Sequence, residues 1–248
     1  MGIRKIIASA LALMLLLSGC GHAGEPITDQ PDRLTADSEK IAVFSQGEPE
    51  GFWARDDRGN GPPFNCSFRA ENAVIEGGTL TLHLTQTANG FAGAEYRTHE
   101  RTGYGFYSVS MKPAKCSGVI SSFFIYWGWP WDEIDIEFLG DDTTKVQFNY
   151  YHNGTGNHEF LYDLGFDASE EFHEYAFDWQ ADSITWYVDG KAVYKATAQL
   201  PSEPGHIMVN LWNVADSKAY WAGKFDSSAL PVSAQYQWFG YQSVEDNA

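Results

Sequence analysis

From about residue 41 onward, apolar and polar residues alternate with a period of two, a spacing that suits strands and disfavours helices. In the run 79–85 the leucines fall at every second position and would share one face of a strand. Similar runs recur at 104–111, 146–150, 177–179 and 184–188, the last followed by the hairpin signal Asp189-Gly190. Many short strands over about 200 residues predict an all-β fold: one two-sheet antiparallel β-sandwich of the jelly-roll kind.

The first 40 residues follow a different pattern. Arg4 and Lys5 precede an apolar stretch over residues 6–17, which is too short to span a bilayer comfortably but suits a signal-peptide core. Small residues then lead to Cys20, which resembles the cleavage site of bacterial lipoproteins. We therefore expect a signal peptide over 1–19, a lipidated Cys20 with a flexible tether over 20–40, and one folded domain over 41–248. The alternative is an ordinary signal peptide with an incidental cysteine.

Charge and composition narrow the classes of partner. The chain has 33 Asp and Glu against 16 Lys and Arg, a net charge of −17. Such a chain repels phosphate groups, so we expect no nucleic-acid partner and no membrane contact except through the lipid on Cys20. Aromatic residues make up 15% of the chain, which with the acidity favours a neutral ligand with flat apolar faces, such as a sugar. We expect an exported monomer: a bacterial lipoprotein at the cell surface, or in the outer membrane or periplasm.

The candidate for chemistry is the run 131–138, Trp-Asp-Glu-Ile-Asp-Ile-Glu-Phe. On a strand, Glu133, Asp135 and Glu137 share one face, whereas their apolar neighbours share the other. Like charges this close repel, so some of these carboxyls must share protons or face an open cleft. Such a row suits glycoside hydrolysis, in which one carboxylate stays ionised while another is held protonated. The alternatives are a solvated acidic edge strand and a Ca²⁺ site, although the loop spacing of an EF-hand is missing.

With its surroundings, this run resembles the active-site region of glycoside hydrolase family 16, and within that family the bacterial lichenases. The similarity extends from about Phe44 to Tyr241 and includes the blocks 64–66, 94–97, 145–151, 186–190 and 210–213. It implies that 41–248 is the catalytic domain of an endo-acting, retaining hydrolase of mixed-linkage β-1,3-1,4-glucan, with a concave substrate cleft. Such an enzyme works by double displacement and needs no cofactor. It also implies that Glu133 is the nucleophile, that Glu137 is the proton donor and later the base, and that Asp135 assists them.

The same resemblance implies two groups of substrate-binding residues. Polar side chains that would bind sugar hydroxyls on the glycone side are Asn60, Glu95, Arg97, Asn149, Tyr151 and Asn210. Aromatic side chains that would supply stacking faces and cleft walls are Phe124, Tyr126, Trp131 and Trp212. For any one of these aromatics the alternative is core packing, and for Arg97 it is a structural ion pair.

The spacing of the carboxylates bears on linkage and on geometry. The laminarinases of the family resemble ExDxxE, with one extra residue that bulges the strand, so ExDxE favours mixed-linkage glucan over β-1,3-glucan. A laminarinase-like enzyme and a non-catalytic carbohydrate-binding lipoprotein are the alternatives, and the second would not need all three carboxylates. Retention requires carboxyls about 5–5.5 Å apart, but four residues of strand span roughly 13 Å. Both glutamates must therefore lean over Asp135.

Some positions depart from the family pattern. Typical lichenases pair the cysteine at position 66 with a cysteine where this chain has Gly93, so Cys66 has lost its implied partner. A disulfide between Cys66 and Cys116 is the alternative. Gln237 stands where relatives have an Asp that helps to bind Ca²⁺, and the cysteines and histidines form no metal motif, so no metal site is predicted. The loop 127–130 is also shorter and richer in Trp.

Overall fold

The computed structural model of the chain describes residues 27, 33, 39–57 and 59–244. The predicted signal peptide over 1–19, the lipidation site Cys20 and most of the predicted tether lie outside the described residues. Within the described ranges, no helix is long and apolar enough to cross a membrane.

Strands make up most of this part of the chain. They are β1 (Lys40–Val43), β2 (Phe52–Ala54), β3 (Ser67–Phe68), β4 (Ala73–Glu76), β5 (Thr79–Thr87), β6 (Gly90–Thr102), β7 (Gly105–Lys112), β8 (Val119–Gly128), β9 (Trp131–Leu139), β10 (Lys145–Tyr151), β11 (Phe160–Asp163), β12 (His173–Trp179), β13 (Ile184–Val188), β14 (Lys191–Ala196), β15 (Gly205–Asn213) and β16 (Val232–Ser243). The described helical segments are α1 (Ala219–Ala222) and 3-10 turns at Phe44–Gln46, Ala70–Asn72, Asp216–Lys218 and Ser227–Ala229. The predicted all-β fold is confirmed.

The strands form two stacked layers. The front layer has the order β11-β10-β9-β8-β15-β6, with β2 beside β6. The back layer has the order β5-β16-β7-β12-β13-β14, with β4 beside β5 and β1 beside β16. The end of β5 pairs with the start of β6 and joins the two layers. The described pairs are antiparallel except that between β3 and β6, so the antiparallel jelly-roll sandwich is confirmed.

The core lies between the layers and packs against the inner face of β9. Ile134, Ile136 and Phe138 of β9 are fully buried, and burial of each such side chain contributes about 1.5–3 kcal/mol. The ring of Phe138 meets Tyr175 of the back layer edge-on, with centroids 5.0 Å apart. The Nε1–H of Trp186 in the back layer donates to the backbone oxygen of Asp135 at 3.1 Å. The apolar face of β9 thus offsets the repulsion among the carboxylates on its other face.

Two described residues of the predicted tether lie on the outer face of the back layer. Ile27 packs against an apolar cluster on β7, β12, β13 and β14 that includes Phe106. The guanidinium of Arg33 lies 3.9 Å from the centroid of the Phe106 ring and donates to Asp178 at 3.3 Å and to Gln242 at 3.1 Å. The chain is therefore held on the domain at Arg33. The predicted domain bounds stay a prediction.

The two cysteines of the sandwich are buried and unpaired, so the alternative disulfide between Cys66 and Cys116 is absent from the structure. Cys66 faces Gly93, where a Cβ atom would lie 2.9 Å from the Cys66 Sγ and would overlap the backbone oxygen of Leu211. Burial raises the pKa of the Cys66 thiol to about 11. This thiol is therefore protonated and unreactive at neutral pH.

Candidate active site

Strand register brings the predicted site residues into three rows on the outer face of the front layer. The row of Glu133 contains Tyr151 of β10 and Tyr126 of β8. The row of Asp135 contains Asn149, Phe124, Met208 and Arg97, and the row of Glu137 contains Gln147, Ser122, Asn210 and Glu95. Directly paired residues project to the same face of a sheet. Residues far apart in sequence therefore share one surface with the carboxylates.

These rows line a cleft made of two adjoining cavities of about 410 and 450 Å³. Glu133, Asp135, Glu137, Trp131 and Trp212 line both cavities. The cavity over β8, β15 and β6 is also lined by Asn60, Glu95, Arg97, Phe124, Tyr126 and Asn210. The cavity over β10 is lined by Asn149 and Tyr151. The structure therefore brings every predicted substrate-binding residue to one cleft, but the six polar residues do not share one half of it.

The environment of the carboxylates raises the pKa of all three. Asp135 is only 4% exposed, whereas Glu133 and Glu137 are half-buried. Removal from water is the largest cause, and repulsion by neighbouring carboxylates adds to it for Asp135 and Glu137. The pKa of Glu137 rises to about 8 and that of Asp135 rises well above its usual value.

Two hydrogen bonds stabilise the ionised form of Glu133. Burial raises its pKa to about 7, but hydrogen bonds from Trp131 and Asp135 work in the opposite direction because they stabilise the ionised form. The indole Nε1–H of Trp131 donates to Glu133 Oε2 at 2.5 Å, and the Trp131 ring stacks on Tyr151 with centroids 4.5 Å apart. One aromatic pair thus forms a wall of the cleft and also holds the Glu133 carboxylate.

A second charged group lies in the half of the cleft over β6. Glu95 is 1% exposed and lies between Arg55 at 3.4 Å and Arg97 at 3.7 Å. Burial raises the pKa of Glu95, and the two guanidinium groups oppose that rise. Arg55 also donates to Asn60 Oδ1 at 2.8 Å. Arg97 therefore makes the ion pair expected of a structural residue and also lines the cleft.

Several cleft residues are absent from the sequence prediction. They are Arg55, Phe64, Ser122 and Met208 in one cavity, and Pro63, Phe64, Gln147, Glu159, Lys218, Tyr220 and Trp221 in the other. The position of Gln147 was available from the alternation along β10, since it precedes Asn149 and Tyr151 at the same spacing. Lys218, Tyr220 and Trp221 lie in and next to a four-residue helix, which is too short to show a period.

Gln237 occupies the position at which relatives are expected to bind Ca²⁺. Its amide oxygen accepts a hydrogen bond from Ser110 Oγ at 2.8 Å, and the amide lacks the negative charge that a carboxylate would supply to the ion. In the described part of the chain, no cluster of three or more His, Cys, Asp or Glu residues is arranged to hold a metal ion.

Only Trp129 and Pro130 of the predicted loop 127–130 form the turn between β8 and β9, because Trp127 and Gly128 end β8 and pair with Asp132 and Trp131 of β9. Trp129 at its tip is 89% exposed and lines neither cavity. Trp127 donates from its indole nitrogen to the backbone oxygen of Trp129 at 2.9 Å, which ties the turn together.

The sequence of this chain is similar to one protein family and to several of its characterised members. Residues 60–244 match the family described as Glycosyl hydrolases family 16. A beta-glucanase of Paenibacillus macerans is 55% identical over 212 residues, which cover 83% of this chain and 87% of that protein. A beta-glucanase of Bacillus subtilis (strain 168) is 52% identical over 202 residues, which cover 79% of this chain and 83% of that protein.

Solved structures of beta-glucanases are similar to this chain in both sequence and fold. The structure of the Bacillus licheniformis beta-glucanase is 47% identical, with a TM-score of 0.79 and coverage of 84% of this chain and 99% of that one. A prokaryotic beta-1,3-1,4-glucanase (lichenase) from a mouse hindgut metagenome is 48% identical, with a TM-score of 0.78 and coverage of 82% and 98%. A laminarinase from Flavobacterium sp. UMI-01 is only 20% identical, with a TM-score of 0.71 and coverage of 81% and 98%. This last similarity is one of fold alone.

Proposed function

Because the chain belongs to glycosyl hydrolases family 16, we propose that it is an endo-acting β-1,3-1,4-glucanase that retains the anomeric configuration of its substrate. The observation that carries this proposal is the unbulged ExDxE strand at the floor of the cleft. The register of β9 with both neighbours proceeds without a shift from Glu133 to Glu137. The relatives named beta-glucanase and lichenase support the same activity.

The first half-reaction needs an ionised nucleophile beside a protonated acid. The Glu133 carboxylate attacks the anomeric carbon while Glu137 protonates the departing glycosidic oxygen, which leaves a covalent glycosyl-enzyme. The hydrogen bonds to Glu133 from Trp131 and Asp135 favour its ionised form. The raised pKa of Glu137 keeps its proton in place near neutral pH.

The second half-reaction needs Glu137 as a base. Water attacks the glycosyl-enzyme, Glu137 accepts a proton from that water, and the bond to Glu133 breaks with net retention. Repulsion by Glu133 is one cause of the raised pKa of Glu137. When Glu133 is esterified that charge is gone, so the pKa of Glu137 falls at the step where it must act as a base.

The shape of the cleft suits a glucan chain that crosses the strands. Asn60, Glu95, Arg97 and Asn210 offer partners for sugar hydroxyls on one side of β9, and Asn149 and Tyr151 do so on the other. Trp131 borders both halves and is 40% exposed, so its ring offers a face for the C–H surface of a sugar. Trp212 also borders both halves, but it is only 4% exposed and packs on Phe64 with ring centroids 3.9 Å apart, so the core-packing alternative holds for most of its ring.

A substrate panel tests the proposal. Release of reducing sugar is measured from barley β-glucan, lichenan and laminarin for the wild type and for Glu133→Gln and Glu137→Gln. We expect the wild type to act on the mixed-linkage glucans, and each variant to lose at least about 10³-fold in kcat/KM. If the wild type bound these glucans but released no reducing sugar, the protein would be a carbohydrate-binding protein and not an enzyme. Activity on laminarin alone would contradict the proposed preference for mixed β-1,3-1,4 linkages.

Azide separates the two roles. Added to Glu133→Ala, it should take the place of the missing nucleophile and give an α-glycosyl azide. Added to Glu137→Ala, it should attack the glycosyl-enzyme and give a β-glycosyl azide. The opposite pairing of products would reverse the assignment of the two glutamates.

We also propose that the enzyme is exported as a monomeric lipoprotein anchored through Cys20. The basic start, the short apolar core and the small residues before Cys20 support this location. Labelling of cells with a fatty acid should mark the wild type but not Cys20→Ser, and light scattering of the detergent-free Cys20→Ser protein should give one chain per particle. If the wild type carried no fatty acid label, the lipoprotein proposal would be refuted in favour of an ordinary secreted enzyme.

A further inference from the structure

The Glu137 carboxylate is the end of a short hydrogen-bonded chain that begins on helix α1. Gln147 lies directly opposite Glu137 in the ladder of β9 and β10, and its Nε2 donates to Glu137 Oε2 at 2.9 Å. The Oε1 of the same amide accepts from the indole Nε1–H of Trp221 at 3.1 Å. Trp221 thereby connects the segment after β15 with the proposed acid/base.

The chemistry of the indole decides which way the Gln147 amide faces. An indole nitrogen can only donate, so the amide oxygen must face Trp221 and the NH₂ group must face Glu137. Gln147 is only 5% exposed, so water is a poor substitute for either partner. Without the indole N–H, the amide is free to turn and to present its oxygen to a protonated Glu137.

We propose that Trp221 is a positioning residue for Glu137: its indole N–H fixes the Gln147 amide, so that Glu137 Oε2 is occupied and Oε1 is presented to the glycosidic oxygen. This inference rests on the proposed role of Glu137 as acid/base. The fixed NH₂ donor stabilises the ionised carboxylate, which is the form required when Glu137 accepts a proton from water. Trp221 therefore serves the second half-reaction more than the first.

Other charged groups line the two cavities that Glu137 borders. Glu133 and Asp135 lie on its own strand, Glu159 precedes β11, and Lys218 precedes α1. Across β8 and β15 lies the pair of Glu95 and Arg97 on β6. Repulsion by Glu133 and Glu159 raises the pKa of Glu137, whereas the hydrogen bond from Gln147 lowers it. Loss of the fixed donor should therefore raise that pKa further.

The variant Trp221→Phe removes the N–H and keeps an aromatic ring beside Trp212, whose ring centroid lies 6.2 Å away. We expect the alkaline limb of kcat/KM to move up by about 0.5–1 pH unit. With an activated aryl glucoside, for which departure of the leaving group needs little acid, we expect kcat to fall about 10-fold and KM to fall with it. The covalent intermediate accumulates because its hydrolysis has become slow.

Two further variants separate positioning from packing. Trp129→Phe removes an indole N–H from a side chain that is 89% exposed and lines neither cavity, and its alkaline limb should match that of the wild type. Gln147→Leu should reproduce the shift of Trp221→Phe, and the double variant should shift no further than Gln147→Leu alone. A wild-type limb in Trp221→Phe, or an undiminished effect of Trp221→Phe in the Gln147→Leu background, would overturn the proposal.

A titration without substrate keeps this test apart from that of the proposed function. The carboxyl carbons of glutamate are labelled with ¹³C, and the Glu137 resonance is identified by its loss in Glu137→Gln. Its midpoint should be higher in Trp221→Phe than in the wild type, and unchanged in Trp129→Phe. Equal midpoints in all three would refute the positioning role even if the enzyme is active. A shifted midpoint in a protein that hydrolyses no glucan would instead refute the proposed activity.

Discussion

Substitution of Gly93 by cysteine should restore a crosslink for which Cys66 is already oriented. A Cβ atom at position 93 would lie 2.9 Å from the Cys66 Sγ, close to the Cβ-to-Sγ separation across a disulfide. The same atom would overlap the backbone oxygen of Leu211, so β6 must move slightly away from β15 to accept any side chain there. Gly93→Cys therefore introduces a steric penalty and a crosslink at once.

The two effects can be separated by magnitude. The crosslink closes a loop of 28 residues, counting both ends from 66 to 93. In the chain-entropy model it removes about 12 cal/mol/K from the unfolded state, or about 3.6 kcal/mol at 25 °C. For a domain of this size that equals roughly 7–14 °C in Tm. The overlap with Leu211 is present in both redox states, so it cancels when oxidised and reduced Gly93→Cys are compared.

Thermal unfolding followed by circular dichroism, with and without reductant, measures the difference. Thiol titration of the unfolded protein reports whether two thiols are lost on oxidation. Oxidation should take place during folding, because burial raises the pKa of the Cys66 thiol to about 11 in the native state and only the thiolate reacts. Gly93→Ser is the matched control, and like reduced Gly93→Cys it should melt below the wild type.

Two results would refute this reasoning. Folded Gly93→Cys that keeps all its thiols under oxidising conditions would show that the Cys66 side chain does not face position 93 closely enough. A crosslinked protein that melts at the same temperature as its reduced form would show that strain in the native state cancels the loop entropy.

Three further predictions concern charge. The value of kcat/KM for barley β-glucan should fall as pH rises through the pKa of Glu137, which is raised to about 8, and a plateau that extends well above pH 9 would contradict the acid role. A carboxyl with a raised native pKa contributes stability that is lost as pH rises through that pKa. Glu137→Gln should therefore gain Tm relative to the wild type between pH 5 and pH 9, and a constant difference would argue against the raised pKa. Arg33→Ala should lower the free energy of unfolding by about 1–2 kcal/mol without changing kcat/KM, because a cation–π contact and hydrogen bonds are lost far from the cleft. Arg33→Lys should recover part of that loss, and denaturant unfolding of both variants measures it.

The sequence was most informative where one strand carries its own pattern. The alternation from Glu133 to Glu137 predicts a catalytic face and a core face, because each depends only on the pleat of β9. The placement of Glu95 opposite Asn210 depends on register between strands more than 100 residues apart. No local pattern sets that register, so the substrate-binding residues came from family resemblance.

The same limit explains what was missed. Trp221 reaches Gln147 only because α1 follows β15 across the end of the cleft, and a four-residue helix has no period to read. The alternative pairing of Cys66 with Cys116 was wrong because cysteine count carries no information about separation. The division of the polar residues between two halves of the cleft depends on which strand neighbours β9 on each side, and family blocks do not reveal this.

The contact of Arg33 with the outer face of the back layer determines how far an anchored enzyme can reach. With the lipid proposed on Cys20, only 12 residues lie between the anchor and Arg33, so this part of the chain can span at most about 45 Å. Arg33 attaches this segment to the outer face of the back layer, which is the side of the sandwich opposite the cleft. In an anchored enzyme the back layer would therefore face the bilayer, and the cleft would face glucan chains in the surrounding medium.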